Sequence, residues 1–284
     1  MKAIKTSLPE NPWVLRSLVA GIFLTLAFIS VFLFLQGKGT GGLGSLIQSN
    51  CISAEGWLPP QVSSALLHYA TTTIIPQQNR AEIQLSVNVL SKRSPCNFLV
   101  FGLGHDSSLW NALNFRGKTL FLEEDSNWIK EALRGHPQLE GKAFHVDYPT
   151  KLSQADELLA YYRSEAESKC NPSNGLRVSQ CKLALTDLPA EIYETEWDVI
   201  MIDAPRGYFD AAPGRMTAIY SAAVMASNRK KEGVTDVYLH DVNRRVEKVY
   251  AEKFLCKKNL VASSGRLWHF QIAPANGSFK GFCQ

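Results

Sequence analysis

The chain has 284 residues, 45% hydrophobic and 20% charged, enough for one sizeable core with short extensions and too little for two full domains. Its formal net charge of +4 comes with no basic block longer than Arg229-Lys230-Lys231, which argues against nucleic acid as a partner. A mildly basic surface of this kind suits an acidic glycan.

Residues 1–16 precede the run Ser17–Leu35, which carries no charge, Pro or Asn and is long enough to cross roughly 30 Å of hydrocarbon as a helix. The run exceeds the apolar region of a cleaved signal peptide and ends in Gln36-Gly37-Lys38, so an uncleaved signal anchor is expected at 17–35. Lys2, Lys5 and Arg16 precede it and only Lys38 follows closely. The positive-inside rule then makes 1–16 a cytosolic tail and places the remainder in the lumen of the secretory pathway, a single-pass type II arrangement. A Gly- and Ser-rich stem over 36–60 leads into an expected lumenal catalytic domain over 61–284.

Six cysteines suit an oxidising lumen, and none stands in a C-x-x-C zinc pattern. Cys170 and Cys181 bracket a loop rich in Asn, Pro, Ser and Gly and are the first choice for a disulfide. Cys256 with Cys283 would tie the tail to the domain, while Cys96, opening an apolar strand, reads equally as a buried free thiol. Asn276-Gly277-Ser278 is a glycosylation sequon.

Helices are expected over 61–70 and 77–91, the second with mixed helical and strand spacing. Beyond Ser94 short apolar runs recur at 98–101, 119–122, 143–146, 199–202 and 237–239. Helix-compatible segments at 125–134, 153–167 and 216–228 alternate with them, and 260 with 267–272 adds an antiparallel pair at the edge. The alternation predicts a doubly wound, mostly parallel α/β sheet.

Ligands of such sheets bind at the carboxyl ends of the strands, so the residues just after each run carry the chemistry. The first run ends in Gly102-Leu103-Gly104-His105-Asp106-Ser107, where two glycines permit close backbone approach and Asp106 or Ser107 can cap a helix. Glu123 ends the second, about twenty residues after Gly104, the spacing of an acidic residue that takes ribose hydroxyls. Ser107 stands where a third glycine would complete a pyrophosphate-binding turn, which favours a cofactor without phosphates, such as S-adenosylmethionine. Glu124 and Asp125 have a plainer reading as the cap of a solvated helix.

The fourth run ends in Asp203-Ala204-Pro205-Arg206-Gly207-Tyr208 and the fifth in His240-Asp241-Val242-Asn243. Asp203, Asp241 and Asn243 offer oxygen ligands for a divalent cation that would orient a sugar hydroxyl; the alternative is that Asp203 or His240, beside Asp241, acts directly as general base. Arg215 carries a planar fork that matches a uronate carboxylate, and a structural ion pair is its equal alternative. Tyr208, Trp110 and Trp268 are candidates to stack on sugar rings, with core packing the commoner fate of aromatics; His269 reads as structural.

The segments Asn97–Ser107, Phe121–Asp125, Leu188–Tyr193, Asp203–Tyr208, Ala212–Met216 and His240–Arg244 closely resemble the plant polysaccharide 4-O-methyltransferase family. That family includes glucuronoxylan and arabinogalactan methyltransferases and a related irregular-xylem branch. The resemblance runs from about Gln77 to Cys283, and Gly265–Phe270 is most similar to the arabinogalactan enzymes. It implies a Rossmann-like class I methyltransferase fold that binds S-adenosylmethionine through Gly102, Gly104, His105, Asp106 and Glu123. It also implies transfer to O-4 of glucuronic acid on a polysaccharide or proteoglycan glycan in the Golgi. Arabinogalactan is the preferred acceptor and glucuronoxylan the alternative. A Golgi scaffold without catalysis is a further reading, and a glycosyltransferase ranks last because Glu123-Glu124-Asp125 only approximates an Asp-x-Asp motif.

Overall fold

The computed structural model describes residues 58–275 and 281–283. The tail, the apolar run 17–35, the stem up to residue 57, Cys51 and the sequon lie outside them; among the described residues no helix is long and apolar enough to cross a membrane.

Helix α1, Pro60–Thr71, opens with Pro in its first turn, where a missing N–H costs nothing. Helix α2, Arg80–Arg93, starts later than predicted because Asn79 forms a capping box. The Asn79 side chain accepts from the amides of Ala81 and Glu82, and Glu82 accepts from the Asn79 amide at 2.7 Å. Gln77 and Gln78 are thereby left outside the helix.

Strand β1, Asn97–Phe101, is followed by α3, Ser107–Leu113, β2, Lys118–Glu123, and α4, Ser126–Gly135. Then come β3, Ala143–His145, α5, Ala155–Glu165, α6, Ala190–Glu194, and β4, Val199–Ile202. Helix α7, Met216–Ser227, leads to β5, Thr235–Leu239, and α8, Arg245–Tyr250, which runs on as a π-helix over Ala251–Cys256. Strands β6, Leu260–Ser264, and β7, Leu267–Ile272, finish the sheet.

The seven strands lie in the order β3-β2-β1-β4-β5-β7-β6. The first five are mutually parallel; β7 runs antiparallel between β5 and β6, so only β6 is the true edge of the predicted pair. Mixed in this way, the sheet agrees with the methyltransferase-like α/β expectation. The chain winds outward from β1 to β3 and then resumes at β4 on the other side of β1, so the order reverses between β1 and β4 and opens a crevice at their carboxyl ends.

Strand alternation divides the core in two. Leu99, Phe101, Ile200, Ile202, Val237 and Leu239 face the layer built by α5, α7 and α8. Phe98, Val100, Phe121, Val199 and Met201 face α2, α3 and α4. Helix α7 is apolar nearly all round and almost wholly buried, which is what a helix enclosed by sheet and further structure requires. Tyr220 on it donates to the Cys170 carbonyl at 3.0 Å and meets Phe254 edge-on at 5.4 Å. Both expected disulfides, Cys170–Cys181 and Cys256–Cys283, are present, and Cys96 is a buried free thiol whose pKa burial pushes up to about 12.

Candidate active site

The turn after β1 is built around Gly102, whose φ of +121° disfavours any L side chain. A Cβ there would also lie 3.2 Å from the Ala204 Cβ, so the β1 and β4 turns touch through this position. The Gly102 amide donates to the Leu122 carbonyl at 2.7 Å, which ties the same turn to β2. At Gly104 the demand is space: a Cβ would meet the Asp106 carboxylate at 2.7 Å. The His105 carbonyl accepts from the Tyr69 hydroxyl at 2.8 Å, and its ring meets Trp128 edge-on at 5.3 Å. Asp106 occupies the cap position of α3 yet makes no capping hydrogen bond, and among the described residues the Ser107 hydroxyl has no partner either, which corrects the capping role expected of them.

Glu123, at the end of β2, is buried and held from two sides. One carboxylate oxygen accepts from the Leu103 amide at 2.9 Å and the other from the Asp125 amide at 3.0 Å. Burial raises its pKa, and these amide hydrogen bonds work against the rise. Each oxygen retains acceptor capacity for a hydroxyl. Asp125 caps α4 as the plainer reading held, while Glu124 instead binds Arg206.

At the ends of β4 and β5, Asp203 and His240 are hydrogen-bonded, Oδ1 to Nδ1, at 2.8 Å. Asp203 also accepts from Gln78 Nε2 at 3.2 Å and lies 3.2 Å from Arg215 Nη2. Burial alone would raise its pKa, but the His240 hydrogen bond and the Arg215 charge outweigh burial and hold the carboxyl below its ordinary value. Asp241, at a φ of +61°, is buried among three guanidinium groups: Arg266 at 2.6 Å, Arg215 at 2.9 Å and Arg244 at 3.0 Å.

A cleft of about 380 Å³ joins these groups and is lined by Gly102, Gly104, Glu123, Asp203, Tyr208 and Arg244. His105, Asp106, Arg215 and Asp241 also line it. His240 does not: it is fully buried behind Asp203, its second ring nitrogen 3.7 Å from the Glu82 carboxylate. His240 therefore orients Asp203 and does not meet an acceptor, which corrects its reading as a direct base. Arg215 is buried, its donors directed to the carbonyls of Pro205, Asp203 and His240 and to the two aspartates. With every nitrogen of its fork engaged inside the protein, Arg215 fits the structural alternative better than the uronate clamp. Trp110 reaches the cleft wall but is fully buried against Phe98, Trp268 packs on Phe270, and His269 bonds Asp236 at 2.7 Å in the structural role expected.

Asp203, His240 and Asp241 bring potential metal-ligand atoms within 4.8 Å of one another, and Asn243, the third member of the expected Asp203, Asp241 and Asn243 ligand set, is exposed. The remaining carboxylates already face an imidazole and guanidinium groups, so the arrangement does not fit a divalent ion and no step is routed through one. A phosphate-free nucleoside cofactor fits better: Gly102 and Gly104 line the cleft beside Glu123, which is fixed with acceptor capacity to spare.

Asp106 carries a testable consequence. Burial, and after it the Asp203 charge, push its pKa from 3.8 to about 6. A carboxyl raised on folding favours the folded state below its unfolded pKa and loses that contribution as pH rises through the folded value. Asp106→Asn is therefore expected to stabilise the unliganded chain at pH 7 by about 1 kcal/mol, less than the full shift implies because the group is partly solvated. Denaturant titrations should show the gain closing toward about pH 4; a gain equal at both pH values would assign it to packing.

Three residues that brace the site were not anticipated. Gln78 reaches Asp203, and buried Glu82 accepts from the amides of Asn79 and Arg266 at 2.7 and 2.6 Å while facing His240. Arg266 completes the cage around Asp241. The Asn-x-x-Glu spacing of a capping box is the one local signal that marks Glu82.

The IRX15/IRX15L/GXM family model matches residues 81–270. Arabinogalactan O-methyltransferase 1 of Arabidopsis thaliana is 52% identical, over 94% of this chain and 93% of its own. Glucuronoxylan 4-O-methyltransferase 1 of the same plant is also 52% identical, over 79% and 78%. Among solved structures, a methyltransferase from Geobacter sulfurreducens covers 81% of this chain and 96% of its own at 12% identity and a TM-score of 0.37, a likeness too slight to bear on activity. With half its residues shared with O-methyltransferases across nearly the full length of both chains, the protein is a methyltransferase and belongs to the IRX15/IRX15L/GXM family.

Proposed function

We propose that this protein transfers a methyl group from S-adenosylmethionine to O-4 of glucuronic acid on arabinogalactan side chains, as a type II protein of the Golgi membrane. The observation that carries the chemistry is a cleft lined both by the Glu123 cradle and by Asp203. S-adenosylmethionine supplies an electrophilic methyl group when bound. Glu123 is suited to accept hydrogen bonds from its ribose hydroxyls, with the Gly102–Gly104 turn and Asp106 alongside. Asp203, ionised and oriented by His240, Gln78 and Arg215, takes the proton of the attacking sugar hydroxyl as the new C–O bond forms. The products are the methyl ether, the thioether by-product and a proton.

Arabinogalactan is favoured as acceptor because the relative named for it matches nearly end to end, and the relative named for glucuronoxylan over a shorter stretch. An identity of 52% to the relative named for glucuronoxylan, over 79% of this chain, supports glucuronoxylan as the second reading. Two disulfides agree with an oxidising lumen, and the apolar run 17–35 with membrane anchoring. Incubating the chain with labelled S-adenosylmethionine and each polysaccharide separately should label arabinogalactan more strongly. Label confined to xylan would reverse the assignment, and label in neither would end the polysaccharide reading.

A further inference from the structure

With Arg215 spent inside the protein, the acceptor's carboxylate needs another partner, and the loop after β4 provides one. Arg206 is half-exposed on the cleft wall. Its amide and its Nε both donate to one oxygen of Glu124, at 3.2 and 2.7 Å, and Glu124 is itself largely buried. This contact fixes one edge of the guanidinium. The two terminal nitrogens make no hydrogen bond among the described residues, and Nη2 makes only a long ion pair with Asp125, at 3.8 Å.

The backbone around Arg206 is also fixed. Its carbonyl accepts from the Gly214 amide at 2.9 Å, which closes the loop at its base, and the Ala212 carbonyl accepts from the Leu152 amide at 2.7 Å. At the tip, Tyr208 is 67% exposed and Phe209 46%, an unusual presentation of two aromatic rings. Arg244 approaches the Tyr208 ring to 5.9 Å, and a Cβ on Gly207 would come within 3.7 Å of its Nη1, so Arg244 supports the loop from beneath.

We infer that Arg206 is the residue that selects an acidic sugar, its terminal nitrogens taking the carboxylate of the acceptor while Tyr208 supports the apolar face of the ring. The inference rests on the polysaccharide methyltransferase reading above. A guanidinium fork matches a carboxylate through two parallel hydrogen bonds, and a neutral hexose offers no such partner. An aromatic face, by contrast, stacks on acidic and neutral sugars alike. The two residues therefore divide the work between charge recognition and general sugar binding.

The test compares a soluble oligosaccharide ending in glucuronic acid with the same oligosaccharide after reduction of its carboxyl group to a primary alcohol. Full-length wild-type chain should prefer the acid by kcat/KM, and Arg206→Gln should cut that preference about tenfold or more, mainly through KM for the acid. Tyr208→Ala should lower kcat/KM for both acceptors by similar factors and leave the preference in place. Calorimetric affinity for S-adenosylmethionine should survive in both variants, which separates acceptor loss from misfolding. An unchanged preference in Arg206→Gln would overturn the assignment while wild-type activity upheld the polysaccharide reading. Wild-type chain that methylated neither acceptor would overturn both.

Discussion

Asp203→Asn is expected to lower kcat by about 10²- to 10⁴-fold, the range of a general base lost from a transition state, with little change in affinity for S-adenosylmethionine. Asn preserves the shape of the side chain and an oxygen that can still accept from His240 Nδ1 and lie beside Arg215. What disappears is the charge that receives the proton. The Gln78 amide, which donates to the other Asp203 oxygen, can turn its own oxygen toward the new amide, so the variant should fold. Single-turnover rates beside calorimetric affinity would separate the outcomes. Equal losses in both would assign Asp203 to cofactor binding or to the integrity of the β4 turn.

Glu123→Ala is expected to weaken S-adenosylmethionine binding by about 10- to 100-fold, the equivalent of about 1.5–3 kcal/mol for charge-assisted hydrogen bonds. The loss has two sources. The ribose hydroxyls lose their acceptors, and the amides of Leu103 and Asp125, which Glu123 draws together, lose the oxygens that fix them. Glu123→Gln discriminates between these contributions, because an amide oxygen can serve one of the two backbone donors but not both. A titration of both variants should rank affinity wild type above Gln above Ala. An unchanged affinity for the Ala variant would remove Glu123 from the cofactor site.

The strand ends were legible because buried parallel strands write themselves as short apolar runs and leave polar residues at the crevice. Gly102, Glu123 and Asp203 accordingly line the cleft at those strand ends, and Glu123 is marked further by its distance from Gly104. The roles of Arg215 and His240 were not legible, because a type of side chain does not reveal how its hydrogen-bonding capacity is spent. Both are buried, and their partners come from separate strand ends and, for His240, from Glu82 on α2. Gln78 and Glu82 were missed for a related reason. They precede the first strand of the sheet and reach Asp203 and Arg266 only through the folded topology, across 125 and 184 positions of sequence. Local pattern carries no trace of such contacts beyond the capping box that starts α2.

The order of strands within the β6–β7 hairpin was illegible for the same reason. Alternation in 267–272 announces a strand, and its neighbour at 260–264 an antiparallel partner, but periodicity does not say that β7 inserts beside β5 and leaves β6 outside. That placement matters to the site, because it brings Arg266 in the hairpin turn to 2.6 Å from Asp241. The cage of arginines around Asp241 is thus a product of sheet order.

The most direct measurement is a calorimetric titration of the full chain with S-adenosylmethionine, repeated with Glu123→Ala. One saturable site per chain, weakened in the variant, is the predicted result. No saturable heat in the wild-type chain, or identical affinity in the two proteins, would contradict a cofactor held by Glu123 at the crevice between β1 and β4.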